Sequence, residues 1–300
     1  MSLRILLILS TFIFLIFVVL LRPRHLIPPE PFAWQPTVAT EKRCPDTYAK
    51  LFASDTVDFL VSFGYKDARP SRFVGDRYER AAFVYGLTSP CPKNFHACDF
   101  TADPKDAEIF TKRIVGPDGR QRTLRIRVIS ASAGPDDDEN RLDSFQKWLS
   151  RHAQKQFEDG LVRSPMVFYN GHSRAGGGPD FFPPKLTRKG NEIDFSWYQS
   201  NQPGMKSLLQ ALKAKDSELK LLGLYSCVST QHFTQEIHSA KPNLAVISSG
   251  ELLYYADALR NLSGTISAIS GMWCENEFGS AISAEPNGKI RIERFFSAQH

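Results

Sequence analysis

The chain has 300 residues, of which 42% are hydrophobic and 12% aromatic, enough apolar material for one large folded domain or two small ones. Its formal net charge is only +5, and its lysines and arginines form no basic run interleaved with aromatic residues. This composition excludes an intrinsically disordered chain and argues against a nucleic-acid partner.

An apolar stretch begins the chain. The 17 residues from Ile5 to Leu21 include only Ser10 and Thr11 as polar residues, which is at the short end of what spans a bilayer. No small-residue cleavage site follows it, so we interpret residues 1–22 as an uncleaved signal anchor, with a cleaved signal peptide as the alternative. The proline-rich residues 23–43 are then predicted to form an extended linker.

Residues 44–119 form an extension to which the sequence assigns no role. Within this extension, residues 57–63 and 81–87 are apolar runs typical of strands. Pro117-Asp118-Gly119 is predicted to form a hairpin turn before a further strand over 122–130.

From residue 120 onward, short apolar runs alternate with helical patterns. Helices are predicted over 140–157, after Pro203 and from Tyr255 onward. The first of these places the following residues near one helical face: Leu142, Phe145, Leu149, His152 and Phe157. Buried parallel strands are predicted over 165–170, 221–225 and 244–248. The alternation predicts an α/β fold over 120–300, a three-layer sandwich with a mostly parallel central sheet.

Two predicted strands end on reactive side chains. The first is followed by Gly171-His172, and the second by Ser226-Cys227. Parallel sheets carry their chemistry at the carboxyl ends of the strands, so both side chains are expected at one edge. A thiol needs a nearby base to become a nucleophile, and histidine can accept its proton near neutral pH. The pattern predicts a Cys/His dyad formed by Cys227 and His172.

An apolar strand ending in a Gly/His pair, then a helix, then an apolar strand ending in Ser-Cys, resembles the core of the caspase-like cysteine peptidases, which include gingipain, clostripain and legumain. The resemblance covers roughly residues 120 to 270, and the order and spacing of His172 and Cys227 fit it. It implies peptide-bond hydrolysis without a cofactor, with the backbone N–H groups of Ser173 and Cys227 as the oxyanion hole. One departure is that Gly171 precedes His172, whereas the family places glycine after the histidine.

Two other classes of function stay open. The segment Gly171-His172-Ser173-Arg174-Ala175 resembles the nucleophile elbow of α/β-hydrolases, with Ser173 as the nucleophile of a serine esterase. The three glycines that follow disfavour the helix that an elbow requires. The other alternative is a catalytically inactive binding module of the caspase-like fold, since a cysteine at the end of a buried strand is often a core residue.

Two acidic residues are candidates for a substrate pocket. In relatives resembling gingipain, an acidic group at the base of the pocket selects arginine or lysine. Glu251 follows the strand after Cys227 and is expected at the same edge, and Asp180 lies in the loop after His172.

The remaining four cysteines, Cys44, Cys91, Cys98 and Cys274, can form two disulfides and leave Cys227 free. Three pairings are possible, and the sequence does not choose among them. No ligand spacing predicts a metal site. Together these features predict a single-pass membrane protein whose peptidase domain lies on the periplasmic or extracellular side, with a protein or peptide as its substrate.

Overall fold

The computed structural model describes residues 38–66, 75–133, 143–190, 192–283 and 289–296. The predicted signal anchor over 1–22 lies outside these residues, as does most of the linker over 23–43. Within the described ranges, no helix has both the length and the apolar character needed to cross a bilayer.

Eight strands form one sheet. They are β1 (Thr56–Phe63), β2 (Thr101–Ala102), β3 (Ile109–Val115), β4 (Gln121–Ser130), β5 (Met166–Asn170), β6 (Leu221–Tyr225), β7 (Ala245–Ser249) and β8 (Ile290–Glu293). The helices of the described residues are α1 (Asp76–Thr88), α2 (Asp143–Arg163), α3 (Phe195–Asn201), α4 (Pro203–Leu212), α5 (Ser229–Ala240), α6 (Tyr255–Gly271) and α7 (Glu275–Ala281).

The sheet has the order β2-β3-β4-β1-β5-β6-β7-β8. Its centre, from β4 through β1, β5 and β6 to β7, is parallel, and β2, β3 and β8 join antiparallel at the two sides. The predicted α/β class and mostly parallel sheet are therefore confirmed. Pro117-Asp118-Gly119 forms the turn between β3 and β4, as predicted, with the Gly116 N–H donating to the Arg120 carbonyl at 2.7 Å.

Two hydrophobic cores lie on the two faces of the sheet. Successive residues of each strand point to opposite faces, so Met166 and Phe168 of β5 enter one core while Val167 and Tyr169 enter the other. The first core also contains side chains of α1, α6 and α7, and the second contains side chains of α2, α4 and α5. Helices on both faces are compatible with a three-layer sandwich.

The sheet includes strands from both sides of residue 120. β1 lies between β4 and β5 and pairs in parallel with both. β3, which ends at Val115, pairs with β4. Residues 44–119 therefore contribute to the same sheet as the strands that carry His172 and Cys227.

The strand predicted over 81–87 is wrong, because these residues belong to helix α1. Its buried positions are Asp76, Glu79, Ala82, Phe83, Gly86 and Leu87. Buried positions spaced by three and four residues are typical of a helix. This spacing could not be seen in the sequence, because Val84 and Tyr85 are apolar although they are not buried and therefore make the apolar run continuous. The predicted face of α2 is also wrong at Phe145, which is 48% exposed.

Two disulfides link the four cysteines that were expected to pair. Cys44 bonds Cys274 across 230 residues of sequence, and Cys91 bonds Cys98 across seven. Backbone hydrogen bonds support the first, since the Cys44 N–H donates to the Met272 carbonyl and the Cys274 N–H donates to the Lys42 carbonyl, both at 2.9 Å. Cys227 is the one free cysteine.

Removal of the two disulfides should have unequal effects. Because the loss of chain entropy grows with the length of the closed loop, the Cys44→Ser/Cys274→Ser variant should lose about 5 kcal/mol of unfolding free energy and the Cys91→Ser/Cys98→Ser variant about 2 kcal/mol. Urea unfolding of the two variants and the wild type measures both values. Equal losses would contradict the assigned pairing, and peptide mapping without reductant tests it independently.

Candidate active site at the carboxyl edge of the sheet

The register of β5 and β6 places His172 and Cys227 at equivalent positions. Asn170, the last residue of β5, pairs with Tyr225, the last residue of β6. His172 and Cys227 each follow these partners by two residues, so they keep the same separation of 55 residues. The Gly171 N–H donates to the Tyr225 carbonyl at 3.3 Å, which extends the contact between the two chains one residue beyond the strands.

The free thiol lies against the segment that follows β7. The Leu253 N–H lies 3.5 Å from Cys227 Sγ, and the thiol lies 3.7 Å from the Leu253 carbonyl. These contacts are on the β7 side of Cys227, whereas His172 is on the β5 side. The thiol is partly exposed.

A strained turn follows Cys227. Val228 has φ 54° and ψ 28°, in the left-handed region, and helix α5 begins at the next residue. A β-branched residue rarely adopts this conformation, and such backbone strain is concentrated at functional sites. The Val228 N–H is bound by the Glu251 carbonyl at 2.9 Å, so the loop after β7 holds the turn in place.

A second strained turn follows His172. Arg174 and Ala175 have φ values of 47° and 49°, in a single 3-10 turn over Arg174–Gly176. Tyr169 fixes the start of this turn, because its hydroxyl donates to the His172 carbonyl at 3.0 Å and accepts from the Asp180 N–H at 2.9 Å. A side chain at Gly171 would overlap the Tyr169 ring, which explains why a glycine precedes His172.

Buried charged residues lie beside His172. Lys66, three residues beyond β1, is only 3% exposed. Its Nζ lies 2.5 Å from Glu79 Oε2 and donates to Asn170 Oδ1 at 2.8 Å. It also lies 4.7 Å from the centre of the Tyr255 ring. Lys66 thereby joins the ends of β1 and β5 to helices α1 and α6.

Asp76, the first residue of α1, holds the residues that follow β4 close to Lys66 and Glu79. Its carboxylate accepts the N–H groups of Ala131 and Ser132, each at 2.8 Å. Burial raises the pKa values of both acids of α1, and Glu79 reaches about 7 despite the opposing effect of Lys66. Strongly perturbed acids in a cluster at a sheet edge are typical of functional sites.

His172 is held neutral by its surroundings. Its pKa is lowered to about 3, mainly by burial and in smaller part by the positive charges of Arg174 and Lys66. A neutral imidazole can accept a proton from a thiol, but it does not stabilise a thiolate as an imidazolium would.

The two acids proposed for a substrate pocket lie in different environments. Asp180 is largely buried and accepts from Arg174 Nε at 2.9 Å and from the Tyr198 hydroxyl at 3.1 Å. Glu251 has an exposed side chain, while its backbone contacts the turn at Val228. The carboxylate of Asp180 is therefore already bound by other side chains of the protein. The side chain of Glu251 is exposed to solvent, in the segment that contacts the thiol.

Comparison with known proteins identifies no relative, since no family model, curated protein or solved structure matches the chain. The sequence predicted His172 and Cys227 as a pair because each follows an apolar strand, and the structure places them at equivalent positions beyond β5 and β6. The sequence missed Lys66, Glu79 and Leu253. The signal for Lys66 was available, because it follows the strand at 57–63 as His172 follows β5.

We expect the His172 ring not to titrate between pH 5 and 8. Carbon-13 labelled histidine allows its titration to be followed by NMR, with the His172→Gln spectrum providing the assignment. In a Lys66→Met/Glu79→Gln variant, which removes the lysine charge together with its partner acid, the pKa of His172 should rise because imidazolium is no longer repelled. A wild-type midpoint near 6.5 would contradict this environment.

The same shift predicts how stability depends on pH. The folded pKa of His172 lies below that of the unfolded chain, so the unfolded chain binds the proton first as the pH falls. Relative to His172→Gln, the wild type should therefore lose on the order of 2 kcal/mol of unfolding free energy between pH 6.5 and 4.5. Urea titrations at the two pH values measure the difference, and parallel pH profiles would contradict it.

Proposed function

We propose that the protein is a membrane-anchored cysteine endopeptidase of caspase-like fold, with Cys227 as the nucleophile and His172 as the general base. The observation that carries this proposal is the common register of the two residues beyond paired parallel strands. Three features support it: Cys227 is the free thiol, it is partly exposed, and a strained turn and a helix follow it.

In the proposed reaction, the Cys227 thiol gives its proton to neutral His172 as sulfur attacks the carbonyl carbon of the substrate. The negative charge on the carbonyl oxygen is stabilised by the N–H groups of Ser173 and Cys227. The tetrahedral intermediate collapses, the C–N bond breaks, and the leaving amine takes the proton from His172. Water, deprotonated by His172, then attacks the thioester carbon, the C–S bond breaks and the carboxylic acid is released. The Cys227 sulfur takes the proton back from His172, which restores the thiol.

The resting contacts of the thiol require one movement. Because Sγ lies against Leu253 on the β7 side, the Cys227 side chain must turn toward β5 to reach His172. Hydrogen bonds between catalytic groups often tighten only when substrate binds. The lysine and arginine charges that disfavour imidazolium also favour the anions formed during the reaction.

The location outside the cytoplasm is supported by the two disulfides, because such bonds form and persist in oxidising compartments. The apolar stretch over Ile5 to Leu21 supports attachment to the membrane. The substrate is then a protein or peptide on the periplasmic or extracellular side.

The serine esterase alternative requires a helix directly after Ser173. Here only the 3-10 turn over Arg174–Gly176 follows, whereas the strand, turn and helix of an elbow occur at Cys227 and Val228. His232, a histidine downstream of Ser173, lies on α5 with its ring against Gly176. Substitution of Ser173 and of His232 therefore tests the esterase alternative.

Substitutions separate the three classes of function. With a fluorescent casein substrate, Cys227→Ala should abolish turnover, and His172→Gln should lower kcat about 100- to 10,000-fold because a general base is lost. The double variant should be no worse than Cys227→Ala, since the pair acts as a unit. Ser173→Ala and His232→Ala should retain most of the activity.

Circular dichroism and thermal unfolding of each variant serve as the control for folding. Full turnover by folded Cys227→Ala would refute the peptidase. Loss of turnover in Ser173→Ala and His232→Ala alone would establish the esterase instead. A folded wild type that turns over neither peptide nor ester substrates would favour the binding module.

A further inference from the structure

The segment after β7 forms one wall beside the thiol. Its Glu251 carbonyl binds the Val228 N–H, and its Leu253 backbone contacts Cys227 Sγ on both the N–H and the carbonyl side. The Ser249 hydroxyl donates to the same Glu251 carbonyl at 2.8 Å. Several hydrogen bonds therefore hold residues 250–254 next to the candidate nucleophile.

Two apolar side chains of this segment face solvent. Leu252 is 64% exposed and Tyr254 is 70% exposed, the two highest values among the large apolar side chains of the described residues. Leu253, between them, packs against the hydrophobic core. Successive side chains of an extended chain point in opposite directions. Because Leu253 contacts the thiol through its backbone and points its side chain to the core, the side chains of Leu252 and Tyr254 point to solvent.

Single exposed apolar residues are common on protein surfaces, but an apolar pair beside a reactive group is typical of a ligand contact. Glu251 is the one candidate acid whose side chain is left to bind a basic substrate group, and it is exposed to solvent. Asp180 is occupied by Arg174 and Tyr198, and the charged groups that act on His172 are the cations Arg174 and Lys66.

We propose that Leu252 and Tyr254 are specificity-determining residues, and that they contact an apolar side chain next to the peptide bond that is cleaved. This inference rests on the proposed peptidase function and adds the class of substrate. Removing one apolar contact in a pocket typically lowers discrimination about 10- to 200-fold.

Peptidyl chloromethyl ketones test the inference on the full-length chain, because binding of their peptide part beside the thiol speeds its alkylation. We expect acetyl-Ala-Ala-Leu and acetyl-Ala-Ala-Phe chloromethyl ketones to modify Cys227 at least 10-fold faster than the lysine or glutamate analogues. Intact mass and peptide mapping follow the modification. The Leu252→Ala/Tyr254→Ala variant should lose about 10-fold of the leucine rate.

Iodoacetamide, which has no peptide part, should react with this variant at the wild-type rate, showing that the thiol itself is unchanged. Val115→Ala is the matched control, because Val115 is 48% exposed and pairs with Gln121 at the opposite end of the sheet. This control should keep the wild-type leucine rate.

The outcomes distinguish the two proposals. Two results would refute the role of Leu252 and Tyr254 without contradicting the proposed peptidase function. One is faster modification of Cys227 by the lysine analogue, and the other is a leucine rate that the double variant does not change. Faster reaction with lysine would indicate Glu251 as the selecting group. Modification of Cys227 by iodoacetamide but by none of the four ketones would contradict the peptidase itself.

Discussion

The pairing of β5 with β6 is the constraint on which the proposed chemistry depends. Each hydrogen-bonded pair fixes the next, and from Met166 opposite Leu221 to Asn170 opposite Tyr225 the register does not slip. A shift of one residue would turn one chain's side chains to the other face of the sheet. The register thus brings a histidine and a cysteine from distant parts of the sequence to equivalent positions at one edge.

The surroundings of this edge are organised by buried charge. Lys66 binds Glu79 and Asn170, and Asp76 binds the backbone after β4. Taking these groups out of water costs free energy that their mutual contacts only partly offset, so the cluster is weak evidence for added stability. Its clearest consequence is electrostatic, since the lysine charge acts on His172. This charge favours the neutral imidazole from which the proposed reaction starts and opposes the imidazolium that the reaction forms.

Much of the fold was predictable because buried parallel strands are short apolar runs with distinct ends. β1, β5, β6 and β7 were predicted in this way, and β4 and the hairpin at Gly119 were predicted as well. Helix α1 was missed because Val84 and Tyr85 extend its apolar run without being buried. Lys66 follows an apolar run, as His172 does, but its place beside His172 depends on the position of β1 in the sheet. The contact of Leu253 with the thiol is made by backbone atoms, and no local sequence pattern encodes it. The disulfide pairing likewise depends on which segments of the chain the fold brings together.

If Cys227 is the nucleophile, it forms a covalent acyl intermediate that can be trapped. The protein is mixed with acetyl-leucine p-nitrophenyl ester and quenched in acid before deacylation, and peptide mapping by mass spectrometry locates the acyl group. The proposed mechanism predicts a near-stoichiometric thioester on the peptide containing Cys227. It also predicts a burst of nitrophenol that is slowed in His172→Gln and lost in Cys227→Ala. An acyl group on Ser173, or a burst that persists in Cys227→Ala, would contradict it.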